Sequence, residues 1–247
     1  GPAYGKVLDP KSQIPNPKSE DWPTYRRDIQ RSGYINCSVP AKLDTLWRTK
    51  PLGKLSPLVS AGGRVYAVAK DAHAVIALDG ATGKKLWYFT ADGPIDSPPT
   101  VYGGLVIFGS RDGSVYCLRA TDGAIAWRFL AATVDRMLMS YGKLESVWPV
   151  SGSVLVRDRC VYFVSGRSAF LDGGMRLYRL DALTGKMLSM TVMNEKDPKS
   201  GKNLQKLQGG WIGLTMPVAL PDILTSDDKQ IYMRSQPFDL KGKRTRV

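Results

Sequence analysis

Ala77-Leu78-Asp79-Gly80-Ala81-Thr82-Gly83-Lys84-Lys85-Leu86-Trp87 returns 40 residues later as Cys117-Leu118-Arg119-Ala120-Thr121-Asp122-Gly123-Ala124-Ile125-Ala126-Trp127, and Trp47 stands 40 residues ahead of Trp87. Within one period the text reads as short strands. Thr100-Val101-Tyr102 is followed by the turn pair Gly103-Gly104, an apolar run at 105–110, the turn Arg111-Asp112-Gly113, a run at 115–119, the turn Thr121-Asp122-Gly123 and a last run ending at Phe129. Asp-Gly and Gly-Gly pairs supply the positive φ of tight hairpins. Such a period, with four strands in each unit, predicts an all-β fold, a β-propeller of four-stranded antiparallel blades of about 40 residues.

Reading outward, the earlier unit covers about 55–90 with turns at Gly62-Gly63, Asp71-Ala72-His73 and Thr82-Gly83. A later one covers about 150–192, where Ser189 takes the tryptophan's place, and a partial one covers 211–240. Residues 1–40 read as an extended opening segment, 43–49 as a strand that closes the ring, and 241–247 as a basic, solvated tail. With three full blades and two fragments, the expectation is an incomplete propeller whose remaining blades lie in the same gene product or come from another chain. The stacked repeats would otherwise leave an uncapped face.

The stretch 77–87 resembles the blade motif of the pyrroloquinoline-quinone-like propeller family, which includes quinoprotein alcohol dehydrogenases and the outer-membrane-assembly lipoprotein propeller of Gram-negative bacteria. Asp21-Trp22-Pro23-Thr24-Tyr25-Arg26-Arg27-Asp28 with Ser32-Gly33, the stretch 142–150 and Phe170-Leu171-Asp172-Gly173-Gly174 are similar to a planctomycete-like bacterial subgroup. The resemblance spans roughly residues 20–235. It implies that Trp47, Trp87 and Trp127 sit on outermost strands and dock blade on blade, a large apolar area held with few rotatable bonds. It also implies work in the periplasm or at the cell surface. Of activity it says little, because one fold hosts many functions.

Composition fits a chain with a sizeable core, at 43% hydrophobic residues. No apolar stretch approaches bilayer-spanning length, so an integral membrane protein is not expected. Residues 1–20 are rich in Pro, Lys and Ser without the apolar centre of an export signal. The formal net charge of +13 attracts polyanions and anionic surfaces. Basic residues are nevertheless scattered apart from Lys241, Lys243, Arg244 and Arg246, and no nucleic-acid module is present, so nucleic acid is not the expected partner.

Catalytic constellations are missing from the text. The sole histidine, His73, falls in a turn, and the carboxylate pairs Asp227-Asp228 and Asp92 with Asp96 fall in turns where acids are common. Quinoprotein dehydrogenases hold their quinone against two adjacent cysteines beside a calcium, as the resemblance has it, whereas Cys37, Cys117 and Cys160 are isolated. No cofactor is therefore expected, neither pyrroloquinoline quinone nor calcium. Two segments break the rhythm, at 130–149 and 194–210, and insertions in a propeller project from its faces. Arg136, Tyr141, Glu145 and Trp148 in the first combine charge with aromatic surface and are the candidate partner-binding residues. The expected function is a non-enzymatic scaffold for a protein or polymer partner. The alternative is a quinone- or metal-dependent oxidoreductase, or another enzyme, whose site lies on the insertions or on blades outside this sequence.

Overall fold

The computed structural model describes residues 20–50, 53–194, 196, 201 and 223–245. The protein is all-β. The first blade is β1 (Val59–Ala61), β2 (Arg64–Ala69), β3 (Ala74–Asp79) and β4 (Lys85–Thr90), and the second is β5 (Thr100–Tyr102), β6 (Leu105–Gly109), β7 (Ser114–Arg119) and β8 (Ile125–Leu130). A separate hairpin, β9 (Met137–Ser140) and β10 (Lys143–Ser146), follows. The third blade is β11 (Leu155–Arg157), β12 (Cys160–Ser165), β13 (Met175–Asp181) and β14 (Met187–Met193), and a three-stranded fourth is β15 (Leu224–Ser226), β16 (Gln230–Met233) and β17 (Gln236–Asp239). All pairings are between neighbours in sequence and antiparallel, as tight hairpins dictate.

The middle strands β6, β7 and β12 are buried almost without a break because the second and third blades are each covered on both sides by a neighbouring blade. Tyr66, Val68, Val75 and Ala77 of the first blade pack against Val106, Phe108, Tyr116 and Leu118 of the second. Leu105, Ile107, Val115 and Cys117 then face Val161, Phe163, Tyr178 and Leu180 of the third. Leu155, Tyr162, Val164 and Leu177 face Leu224, Ile231, Met233 and Phe238 of the fourth.

A register shift recurs where the third and fourth strands meet, at Ala77/Leu78, Cys117/Leu118 and Arg179/Leu180. The bulge aims the next residue at the neighbouring blade. Trp87 stacks on Gly123 and donates from Nε1 to the Ala120 carbonyl at 3.0 Å. Trp127 does the same at Gly185 and Ala182, at 2.9 Å, and Trp47 at Gly83 and Gly80, at 2.8 Å. A Cβ on any of these glycines would lie within 2.7 Å of the indole, and each has positive φ, so glycine is required twice over. Ser189 occupies the same place in miniature: its hydroxyl donates to the Lys241 carbonyl at 2.7 Å, beside Gly242.

Two expectations are corrected. Residues 43–49 form no ladder, and Leu43 and Leu46 are exposed. The edge of β17 that they would have closed is already taken, by the Phe238–Arg244 bridge and by Thr245 donating from its amide to the Pro237 carbonyl at 3.1 Å. For the same reason residues 241–245 are no solvated tail; the Asp239 carboxylate accepts the Lys241 and Lys243 amides at 3.0 and 2.8 Å and folds a turn like those at Asp79 and Asp181. Arg246, Trp211 and most of the 194–210 insertion lie outside the described residues.

The opening segment is not merely extended. Trp22 exchanges backbone hydrogen bonds with Ser60 on β1, Pro23 accepts from Val101 on β5, and Ile29 accepts from Ser226 on β15. Arg31, 6% exposed, donates to the carbonyls of Leu224 and Val154 and to the Thr24 hydroxyl, which pairs with Thr100. The segment thus runs along the inner edges of the four blades and ties them together. Burial lowers the Arg31 guanidinium to about 10, against the opposing pull of Asp28 and Tyr25.

Candidate functional site

Strand parity divides the molecule. In each blade the turns that follow the first and third strands lie at one end of the sheet. The turns that follow the second strands and the links from one blade to the next lie at the other, as the Arg111 amide to Pro94 carbonyl and Ala131 amide to Gly113 carbonyl bonds show. The β9–β10 hairpin and the loop 166–174 therefore stand on the same face.

The hairpin turns at Tyr141-Gly142, with φ of 48° and 72°, the two left-handed residues of a two-residue turn. Its register sets Met139 opposite Leu144 and Leu138 opposite Glu145. One side thereby presents Met139 and Leu144 to solvent, with Met137 beside them and Tyr141, 99% exposed, at the tip. Phe170 and Leu171 are exposed on the adjacent loop.

Beneath, the hairpin is fastened. The Glu145 carboxylate is buried and accepts from Arg111 at 2.7 Å, and Arg111 also holds Asp96 at 2.5 Å. Burial opposes the Arg111 charge, but Asp96 and Glu145 outweigh it and raise its pKa. Ser146 donates from its amide to the Arg111 carbonyl at 2.7 Å, and Lys143 reaches Asp71 of the first blade at 3.7 Å. Trp148 is buried, donating from Nε1 to the Asp172 carbonyl at 3.1 Å with the Arg176 guanidinium 5.3 Å from its ring.

Between the hairpin and the loop lies a hollow of about 200 Å³ lined by Arg111, Ser140, Tyr141, Glu145 and Arg167, among others. Arg167 is itself paired with Asp172 at 2.6 Å. A second charged group lies between the first two blades on this face. Arg128 bridges Asp92 at 2.7 Å and Asp112 at 3.3 Å while lying over the Tyr116 ring, and the Tyr116 hydroxyl donates to Asp112. Burial and the Asp112 charge push the Tyr116 phenol far up, so it stays a donor.

Of the four candidate residues, the structure brings Tyr141 and Glu145 together at the hollow, leaves Arg136 exposed at the foot of the hairpin, and buries Trp148 as a brace. Sequence reasoning missed Arg111 and Arg167. The signal for Arg111 was available: the β6–β7 turn and the insertion that follows β8 fall at the same end of a four-stranded blade.

A family model described as outer membrane protein assembly factor BamB matches residues 32–209. This chain belongs to that family. The outer membrane protein assembly factor BamB of Burkholderia pseudomallei is 40% identical over 84 residues, 34% of this chain and 22% of the relative. The quinoprotein ethanol dehydrogenase of Pseudomonas aeruginosa is 30% identical over 210 residues, 71% of this chain and 34% of the relative. Among solved structures, the quinohemoprotein alcohol dehydrogenase from Comamonas testosteroni superimposes with a TM-score of 0.65 at 17% identity, covering 91% of this chain and 40% of that one. The chain is thus similar both to assembly factors and to quinoprotein dehydrogenases, and it spans about a third or less of the length of these curated relatives.

The residues present do not fit the quinone arrangement that the resemblance implies. Cys117 and Cys160 are buried in strands of different blades and Cys37 is exposed on the opening segment, so no adjacent pair can be made. Among the described residues, no group of three or more His, Cys, Asp and Glu could hold a metal, and no helix is long and apolar enough to cross a membrane.

Proposed function

We propose that this chain is part of a non-enzymatic propeller scaffold that binds a protein partner through the β9–β10 face, in an assembly outside the cytoplasmic membrane. One observation carries the reading: a hairpin bearing Met137, Met139, Tyr141 and Leu144 in solvent is fastened by the buried Glu145 carboxylate, which pairs with the partly exposed Arg111. Apolar side chains grouped on a pre-shaped element are what a protein interface uses as anchors, because little ordering is needed on binding. The compartment rests on a family described by outer-membrane assembly. In cross-linking from native extract followed by affinity measurement with the purified partner, the M139S/Y141S/L144S variant raises Kd at least tenfold, about 1.4 kcal/mol, with unchanged circular dichroism. Equal affinity of the variant would overturn the reading.

The similarity to quinoprotein dehydrogenases supports a redox alternative. Its test is direct: quinone added with calcium to the purified protein gives a bound absorbance band and alcohol-dependent dye reduction if that reading holds, and neither if it fails.

A further inference from the structure

Strand β14 reverses the pattern of its counterparts. In β4 and β8 the docking tryptophan and the phenylalanine two residues on, Trp87 with Phe89 and Trp127 with Phe129, face the next blade. At the same places β14 has Ser189 and Thr191, whose hydroxyls donate to the Lys241 and Gly242 carbonyls at 2.7 and 2.6 Å. The apolar groups lie on the other side: Leu188, Met190 and Val192 are 45%, 43% and 42% exposed. Met190 is the cross-strand partner of Tyr178, which packs against the second blade, so this side opens toward the second blade along the outermost strand. A half-covered strand ordinarily buries its apolar side and leaves its polar side to water; here the order is inverted.

Charge separates β14 from the other outer strands as well. On β4 the Lys85 ammonium lies 5.5 Å from the Tyr88 ring, and on β8 Arg128 stands opposite Tyr116 as Met190 stands opposite Tyr178. Charge on an edge is what keeps a strand from pairing with its own copy. β14 reads Met187-Leu188-Ser189-Met190-Thr191-Val192-Met193, with neither a charge nor a proline. It ends its sheet, and among the described residues no other segment bonds to the backbone of its outer edge.

We infer that β14 is the contact between two copies of this chain. The strand is self-complementary about its centre: in an antiparallel pairing with its own copy Met190 meets itself, Leu188 meets Val192, Ser189 meets Thr191, and Lys186 falls opposite Asn194 rather than another charge. The twofold axis passes through Met190, the contact is isologous, and two four-stranded blades join into one continuous sheet. Leu188, Met190 and Val192 of both copies then form one strip on the same side of that sheet, where cross-strand pairs stabilise it. A single pair of strands is small for a specific interface, so the dimer is weak, with a Kd of about 10–100 µM. The contact lies away from the β9–β10 face, and neither reading depends on the other.

The test is the oligomeric state of the 247-residue chain. Sedimentation between about 1 and 300 µM shows a reversible monomer–dimer equilibrium. Met190→Lys sets two ammonium groups face to face at the axis and weakens that equilibrium about tenfold or more, with unchanged circular dichroism and Tm. Tyr88→Lys, the matched change on β4, leaves it as it is. Disulfides read the register in a Cys37→Ser background, Cys117 and Cys160 being buried. On oxidation Met190→Cys cross-links to its own copy, because residues directly opposite on antiparallel strands stand within disulfide reach, whereas Leu188→Cys cross-links only to a Val192→Cys chain. A monomer throughout overturns the proposal, whatever then covers the strand. So does a dimer that Met190→Lys leaves intact, a Met190→Cys dimer that does not cross-link, or a Leu188→Cys chain that cross-links to itself as readily as to the Val192→Cys chain.

Discussion

The two ends of the blades differ in kind. At one end the turns repeat: Asp79, Asp181 and Asp239 each fold a turn by accepting two backbone amides, and the glycine that follows receives a tryptophan or Ser189 from the chain that precedes the blade. At the other end each unit departs from its neighbours, with a short 3-10 turn at Lys70–Ala72, the Arg111 turn, the 166–174 loop and the β9–β10 hairpin. The regular end joins blade to blade. The irregular end has no contact that recurs from blade to blade, and substitutions at the two ends should differ accordingly.

The largest effect belongs to the regular end. Trp127→Ala removes a ring that is 1% exposed and leaves the Ala182 carbonyl unpaired, and is expected to cost about 4 kcal/mol in urea denaturation. Tyr141→Ala, at the irregular end, should stay within about 0.5 kcal/mol of wild type. Comparable costs at the two positions would break the division between the regular and the irregular end.

Next comes the axis that links them. Arg31→Met keeps the side-chain length but loses the bonds to Leu224, Val154 and Thr24, and should cost about 3 kcal/mol, because two buried carbonyls lose a charged donor. A loss below about 1 kcal/mol would mean that the innermost strands hold together without the opening segment.

What could be read in advance follows the same division. The blade turns and docking tryptophans were legible because they recur, and recurrence exposes the residue types that a turn or dock demands. Ser189 reads as a lost tryptophan in the text, yet it makes the same contact through a hydroxyl, and only the position of Gly242 reveals this. The hub role of residues 20–33 was hidden because it rests on hydrogen bonds to strands as far as Leu224, 193 residues from Arg31, which no local pattern encodes. At the candidate site the insertion was visible, but Glu145 and Trp148 could not be told from exposed recognition residues until Arg111 and Asp172 were seen beneath them.

Arg111→Met sharpens the comparison at the irregular end. It strands the buried Glu145 carboxylate and frees Asp96, at an expected cost of about 2 kcal/mol, less than a fully buried pair because Arg111 is partly exposed. Amide exchange of residues 137–146 should rise while that of β6 and β7 stays protected. If exchange rises equally through the second blade, the hairpin is part of that blade's fold rather than a platform fastened upon it.

The smallest effect is a matter of pH. The Asp181 carboxylate is held below the usual range: burial opposes the charge, but the Thr184 hydroxyl and amide, Arg159 and the Leu183 amide outweigh it. A carboxylate whose folded pKa is depressed contributes stability that is fully present above its unfolded value, near pH 4, and that is lost as pH falls through the folded one. Asp181→Asn should therefore cost about 0.5–1 kcal/mol at pH 7 and progressively less below pH 4, where the wild-type carboxyl is also neutral. Asp79 and Asp227 are lowered in the same direction and lie at the same end. Acid should then loosen the regular turns while the Trp87 and Trp127 docks, which carry no titrating group, keep the blades joined. Tryptophan fluorescence that shifts before the turn amides exchange would reverse that order and place the weak point at the docks.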